Sequence, residues 1–255
     1  MNRIIKFVML DIIKNKIVLS YAVLLAAFSW AVFSLEDNSA KGILTLLNIV
    51  LLTVPLVSII FSTIYIYNSS EYIDLLVSQP IKRSKIWISL FLGLCFALIM
   101  AFILGAGIPI LLFAPLHIGL MLVAVGCFIT TVFIAIAFFS AVLTRDKAKG
   151  IGTAIMLWLF FTMLFDGILL FLLFQFSDYP IEQAMLIINM FSPVDIARIL
   201  ILLQMDVSAL LGYTGAIFRQ FFGNSVGIII SFVVLTLWTI LPFWASLKNF
   251  KKKDL

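Results

Sequence analysis

The chain has 255 residues, 64% of them hydrophobic and 11% charged, with a formal net charge of +5. A typical globular domain is about half apolar and about a quarter charged, so this composition excludes a soluble domain. The positive balance does not point to nucleic acid, because the Lys and Arg sit at the edges of apolar stretches, where anionic headgroups and insertion bias account for them.

Before the first apolar stretch, Ile5, Val8, Ile12 and Ile13 recur at helical spacing, with Arg3, Lys6, Asp11 and Lys14 among them. Such a segment is expected as an interfacial helix with its basic residues toward headgroups. Six long apolar stretches follow, at 17–35, 43–67, 86–113, 118–143, 151–175 and 226–247. Crossing about 30 Å of hydrocarbon takes roughly 20 apolar residues in a helix. The runs are continuous, whereas barrel strands alternate, so the expected fold is all-α and integral to the membrane, one transmembrane domain over 1–255. The first stretch lacks a small-residue cleavage motif and reads as a retained anchor. Cys95 and Cys127 fall inside spans, where thiols serve as small apolar residues.

Lys and Arg in alternate gaps number 14 against 3. This positive-inside pattern predicts both termini on the cytoplasmic side. The inner gap at 68–85 holds Glu71, Asp74, an apolar patch at 75–77, then Gln79, Pro80, Lys82, Arg83 and Lys85. Pro80 disfavours helix at the residue before it, which predicts a short helix to about Ser78. Its exposed apolar stripe needs a partner. In the third stretch, Gly105-Ala106-Gly107-Ile108-Pro109 predicts either a kinked outer half or close packing at small residues. Asp166, the one formally charged residue within the spans, reads either as a polar point on a translocation path or as a group hydrogen-bonded near the outer interface.

The outer segment 176–225 is too apolar for a linker. Ser192 as N-cap and Pro193 at the first helical position start a helix. Ile196, Ile199, Leu200 and Leu203 line one face of it, and Asp195 and Arg198 pair at i, i+3. A second helix is expected at about 208–222. Met185, Met190 and Met205 on this side, with His117, raise a Cu(I) question, but they form no spaced cluster. No phosphate loop, zinc motif or nucleophile motif occurs, so any work draws on another subunit or an ion gradient. Asp166 is the proton site in the gradient-driven alternative.

The stretch DLLVSQPIKRSKIWISLFLGL at 74–94 resembles the loop after the second span of type-2 ABC transporter permeases, through Asp74, Leu75, Leu76, Gln79, Pro80 and Arg83. The resemblance implies that Glu71 and these residues form a coupling helix seated in a separate ATPase subunit. The runs at 191–198 and 208–216, with Ser192, Pro193, Asp195, Arg198 and Tyr213, look like the outer loop of NosY-like permeases, the family supporting copper-site maturation of nitrous oxide reductase. That likeness implies a homodimer in a bacterial inner membrane with two ABC ATPase subunits inside. ATP and Mg would be held by those subunits, with no cofactor on this chain. A β-helical periplasmic protein, a copper chaperone and copper in the pathway are implied outside. The outer loop, Met205 included, would meet that partner or cargo. An exporter of lipid, drug or polysaccharide cargo is the alternative within the same class.

Overall fold

The computed structural model describes residues 2–36, 38–144, 146–176, 182–205 and 225–252. Among these residues the regular structure is entirely helical, and six helical runs are long and apolar enough to cross a membrane. α1 (Asn2–Ile13) breaks at Asn15, whose side chain accepts from the Ile17 N–H at 2.9 Å and starts α2 (Lys16–Leu35). Asn38 caps α3 (Ser39–Asn68) in the same way, and α4 (Ser70–Val77) follows almost at once. α5 (Arg83–Phe102) continues through a π segment, Ile103–Gly107, into α6 (Ile108–Phe113), and α7 (Leu116–Leu143) returns. α8 (Lys147–Leu159) passes through a second π segment, Phe160–Leu164, into α9 (Phe165–Gln175). α10 (Glu182–Asn189), α11 (Pro193–Gln204) and α12 (Ser225–Lys252) are the last elements among the described residues.

The six expected spans are therefore α2, α3, α5–α6, α7, α8–α9 and α12, most of them longer than their apolar stretches. Side-chain caps from Asn15, Asn38 and Asp146 start α2, α3 and α8, and the helical ladder itself carries the runs into their polar flanks. Two elements were not foreseen, α10 and the π segment of the fifth span. The helix expected at 208–222, with Tyr213, lies outside the described residues.

α7 is the axis of the bundle, with α3 and α12 packed along it and α5 and α11 beside it. The third and fourth spans are the most buried, and the first, fifth and sixth the least. Lipid tails are as apolar as Leu, so close van der Waals fit, not apolar burial, holds such helices together. Gly105 shows this fit. A Cβ there would lie 2.7 Å from the Ala22 carbonyl oxygen, so the glycine lets α2 touch the π segment. The close-packing reading of the glycine-proline run is thus borne out, and the run itself is wound as a π segment that continues into α6. Pro55 interrupts the ladder of α3, and the indole N–H of Trp158 on α8 donates to the Leu52 carbonyl at 3.1 Å.

α1 is the helix the periodicity predicted, but its apolar residues divide between two sides. Val8 and Ile12 are fully buried against the bundle, while Phe7, Leu10 and Ile13 remain exposed. Gly93 on α5 makes the first contact feasible, because a Cβ there would fall 2.6 Å from Val8 Cγ1. Asp11, expected on the polar face, accepts from the Tyr65 hydroxyl at 3.2 Å and ties α1 to α3.

Candidate functional site

The helices arrange the chemistry at two ends. The end holding α1, α4 and the last turns of α12 carries most of the described Lys and Arg and is the basic end. α10 and α11 lie at the opposite, distal end.

At the basic end, α4 buries Ile73 and Leu76 and leaves Leu75 65% exposed. The apolar patch expected at 75–77 is therefore not one stripe. Two turns of helix cannot point consecutive residues the same way, so Leu76 serves the core and Leu75 faces out. Glu71, Asp74, Gln79 and Pro80 are all exposed around it. The Arg83 guanidinium donates to the Lys251 carbonyl at 3.5 Å, which brings the tail of α12 beside this loop. A small cleft of about 140 Å³ opens behind α4, lined by Tyr67, Ser70, Ile73, Asp74, Trp87 and Phe250 among others. Beneath it, Trp87 stacks on Phe250 with centroids 4.2 Å apart and donates through Nε1 to Ser246 Oγ at 2.9 Å. Ser246 in turn donates to the Phe138 carbonyl at 2.9 Å, so α5, α7 and α12 meet in one chain of hydrogen bonds.

At the distal end, Ser192 caps α11 as predicted, its Oγ accepting from the Asp195 N–H at 3.2 Å. Burial of α11 runs right round the helix, from Val194 through Ile196, Ala197, Leu200 and Ile201, and not along the single face expected. The helix is wedged against α7, α12, α3 and the second π segment. Wedging places Arg198 against the fifth span. Its Nη1 donates to Asp166 Oδ2 at 2.6 Å and to Asp195 Oδ1 at 3.3 Å. Asp166 is thus hydrogen-bonded to a neighbouring helix, one of the two arrangements anticipated for it. The i, i+3 pairing of Asp195 with Arg198 is present, but the stronger contact is to a residue far away in sequence.

Asp195 is 3% exposed, and among the described residues its Oδ2 accepts from no donor and the buried Arg198 Nε has no acceptor. Burial first, and the adjacent Asp166 carboxyl second, push Asp195 up to about 7, against the pull of Ser192 and Arg198. The two carboxyls can hydrogen-bond to each other only while one of them keeps its proton. They border a cleft of about 350 Å³ whose other walls include Leu169, Leu170, Leu173, Met185, Asn189 and Leu202.

The methionines do not converge. Met185 is buried with Phe165 and Leu169, whereas Met190 and Met205 pack against the main core. Among the described residues no three His, Cys, Asp or Glu side chains gather as metal ligands. Sequence reasoning missed Asn189, whose amide donates to the Met185 carbonyl at 2.7 Å, because α10 carries no start signal in its described residues.

Residues 8–255 match the family model described as ABC-2 family transporter protein. A relative from Pseudomonas aeruginosa, named probable ABC transporter permease protein NosY, is 27% identical over 167 residues. The match covers 61% of this chain and 61% of that protein.

Proposed function

This chain belongs to the ABC-2 transporter family, a multi-pass membrane permease, and from that membership we propose that it couples ATP hydrolysis in a separate ATPase subunit to an event at its distal end. The basic end is the cytoplasmic one by the charge rule. α4 is the coupling helix, and Leu75 is the residue that enters the ATPase. The observation carrying this reading is the orientation of α4: Ile73 and Leu76 anchor it to the bundle, while Leu75 stands out on the same exposed side as Glu71 and Asp74. A helix fixed on one side with a large apolar residue on the other is built to be covered. Gln79, Pro80 and Arg83 shape the turn that returns the chain to the bundle.

The working unit is a homodimer with two ATPase subunits. The sparsely buried faces of α2 and α8–α9, with Val23, Phe28, Met156 and Met163 exposed, support such a pairing. The distal event is export or a maturation step in the periplasm of a bacterial inner membrane. The likeness to a NosY permease, and the loop residues Ser192, Pro193, Asp195, Arg198 and Tyr213, favour copper-site assembly of nitrous oxide reductase. A β-helical partner, a copper chaperone and copper itself would then act beyond this chain.

Co-purification of the tagged permease with its ATPase tests the reading. Leu75→Asp is expected to abolish ATPase recovery while the permease stays folded. Full ATPase recovery with Leu75→Asp would remove α4 from the coupling role.

A further inference from the structure

The distal cleft holds an arrangement that membrane packing alone does not require. A group that costs as much to bury as a carboxylate is normally fully paired, yet among the described residues Asp195, which lines an open cleft, keeps one buried oxygen without a donor. Among the described residues the charged groups lining this cleft are Asp166, Asp195 and Arg198. Two carboxylates face one guanidinium, and Arg198 Nη1 already donates to both. The polar end of the cleft is therefore short of one positive charge and one donor. An anion entering here would meet two carboxylates and find that Nη1 already taken.

The remaining lining is Leu169, Leu170, Leu173, Met185, Ile199 and Leu202, with Asn189 as the other polar residue. A volume of about 350 Å³ lies at the small end of ligand pockets, which run roughly 300–1,000 Å³. Leu170 on α9 is itself well exposed, so the cleft is reachable from the side of the fifth span.

We propose that this cleft binds an amphipathic cation, with a primary or secondary ammonium at Asp195 and Asp166 and an apolar body between α9 and α10–α11. The ammonium donates to the Asp166 carboxylate, which is about a third exposed, and balances the charge of the pair. Without ligand, a proton on the buried Asp195 carboxyl meets the same deficit. Binding therefore releases that proton, and ammonium and proton compete to balance one charge. The site stands on the cleft alone; only its role as the cargo-loading site rests on the permease reading.

The test uses the full-length chain in nanodiscs with 4-phenylbutylamine and its neutral counterpart 4-phenylbutanol, the binding being followed by ligand-observed NMR against empty nanodiscs. The amine is expected to bind about tenfold or more tightly than the alcohol, the ratio for one charge-assisted hydrogen bond. Its affinity is expected to rise from pH 6 to pH 8, because the amine stays charged while the proton it displaces is lost. Asp195→Asn and, separately, the more exposed Asp166→Asn are expected to bring the amine-to-alcohol ratio close to one. Leu173→Trp, which fills the cleft, should weaken both probes. Equal binding of amine and alcohol by the unmodified chain, or a ratio that survives both Asn variants, overturns the proposal. If the variants do not fold, the ratio and its pH trend in the unmodified chain decide alone. ATPase recovery plays no part in this measurement, so a failed Leu75 test and a failed amine test are separable.

Discussion

The two ends of the bundle handle charge in opposite ways. At the basic end Glu71, Asp74 and the described Lys side chains stay on the surface, and beside the small cleft behind α4 the interior is packed by aromatic stacking around Trp87. At the distal end three charged side chains are drawn inward by α11, and one of their oxygens is left without a donor. A surface charge on a solid packing layer adds little to stability. A charge group inside a wedge makes the position of that wedge depend on its own pairing and protonation. The basic end is thus a rigid platform, and the distal end a responsive one.

The sharpest way to break the comparison is to remove that stacking. Trp87→Ala deletes a stacked, hydrogen-bonded side chain shared by α5, α7 and α12. Truncating a buried Trp typically costs about 3–5 kcal/mol. We expect a loss of that order in unfolding with SDS, and increased hydrogen exchange in the last turns of α12. If Trp87→Ala leaves both unchanged, the platform does not rest on this cluster.

The next largest effect belongs to Arg198→Ala, which strands Asp166 and Asp195. Both Arg198 and Asp166 are about a third exposed, so solvent offsets part of the damage. The expected loss is about 1.5–3 kcal/mol, the range for hydrogen bonds to charged groups. Exchange should rise in α11 and stay constant in α5. Uniform loosening of the whole bundle would mean that the two ends are not independent.

A smaller, graded effect follows from Asp195. Its carboxyl is pushed up to about 7 from an ordinary value of 3.8, with Asp166 and Arg198 facing it. For an acid raised on folding, the folded state keeps a proton the unfolded chain has lost. Stability from this group is full below the ordinary carboxylate range and is lost as pH rises through about 7. Exchange in α11, corrected for its intrinsic pH dependence, should therefore quicken from pH 5 to pH 8. Asp195→Asn should flatten that trend, and a flat trend in the unmodified chain would remove the proton from the wedge.

The six crossings were legible because continuous apolar length is a one-dimensional signal. So was the start of α11, since Ser192 and Pro193 act on their own backbone. The pairing of Asp166 with Arg198 was not, because it joins residues 32 apart through a wedge that no local pattern encodes. The fate of Leu75 and Leu76 was only half legible. Their identity marked an apolar patch, but which of them turns inward depends on how α4 leans on α5.

That division gives the smallest expected effect and the clearest contrast with the distal end. Leu75 stands on the platform without belonging to it, so Leu75→Ser should change unfolding by no more than about 0.5 kcal/mol, as surface substitutions do. Leu76→Ser, one residue on, removes a buried side chain and should cost about 2 kcal/mol or more. SDS unfolding of the two variants side by side reads the difference directly. Equal losses would mean that Leu75 packs within the chain, and α4 would then present no apolar residue for a partner to cover. A silent Leu75→Ser together with a damaging Leu76→Ser would fix the outward face of α4 to a single side chain. The apolar contact available to an ATPase on this helix would then be Leu75, flanked by the exposed carboxylates of Glu71 and Asp74.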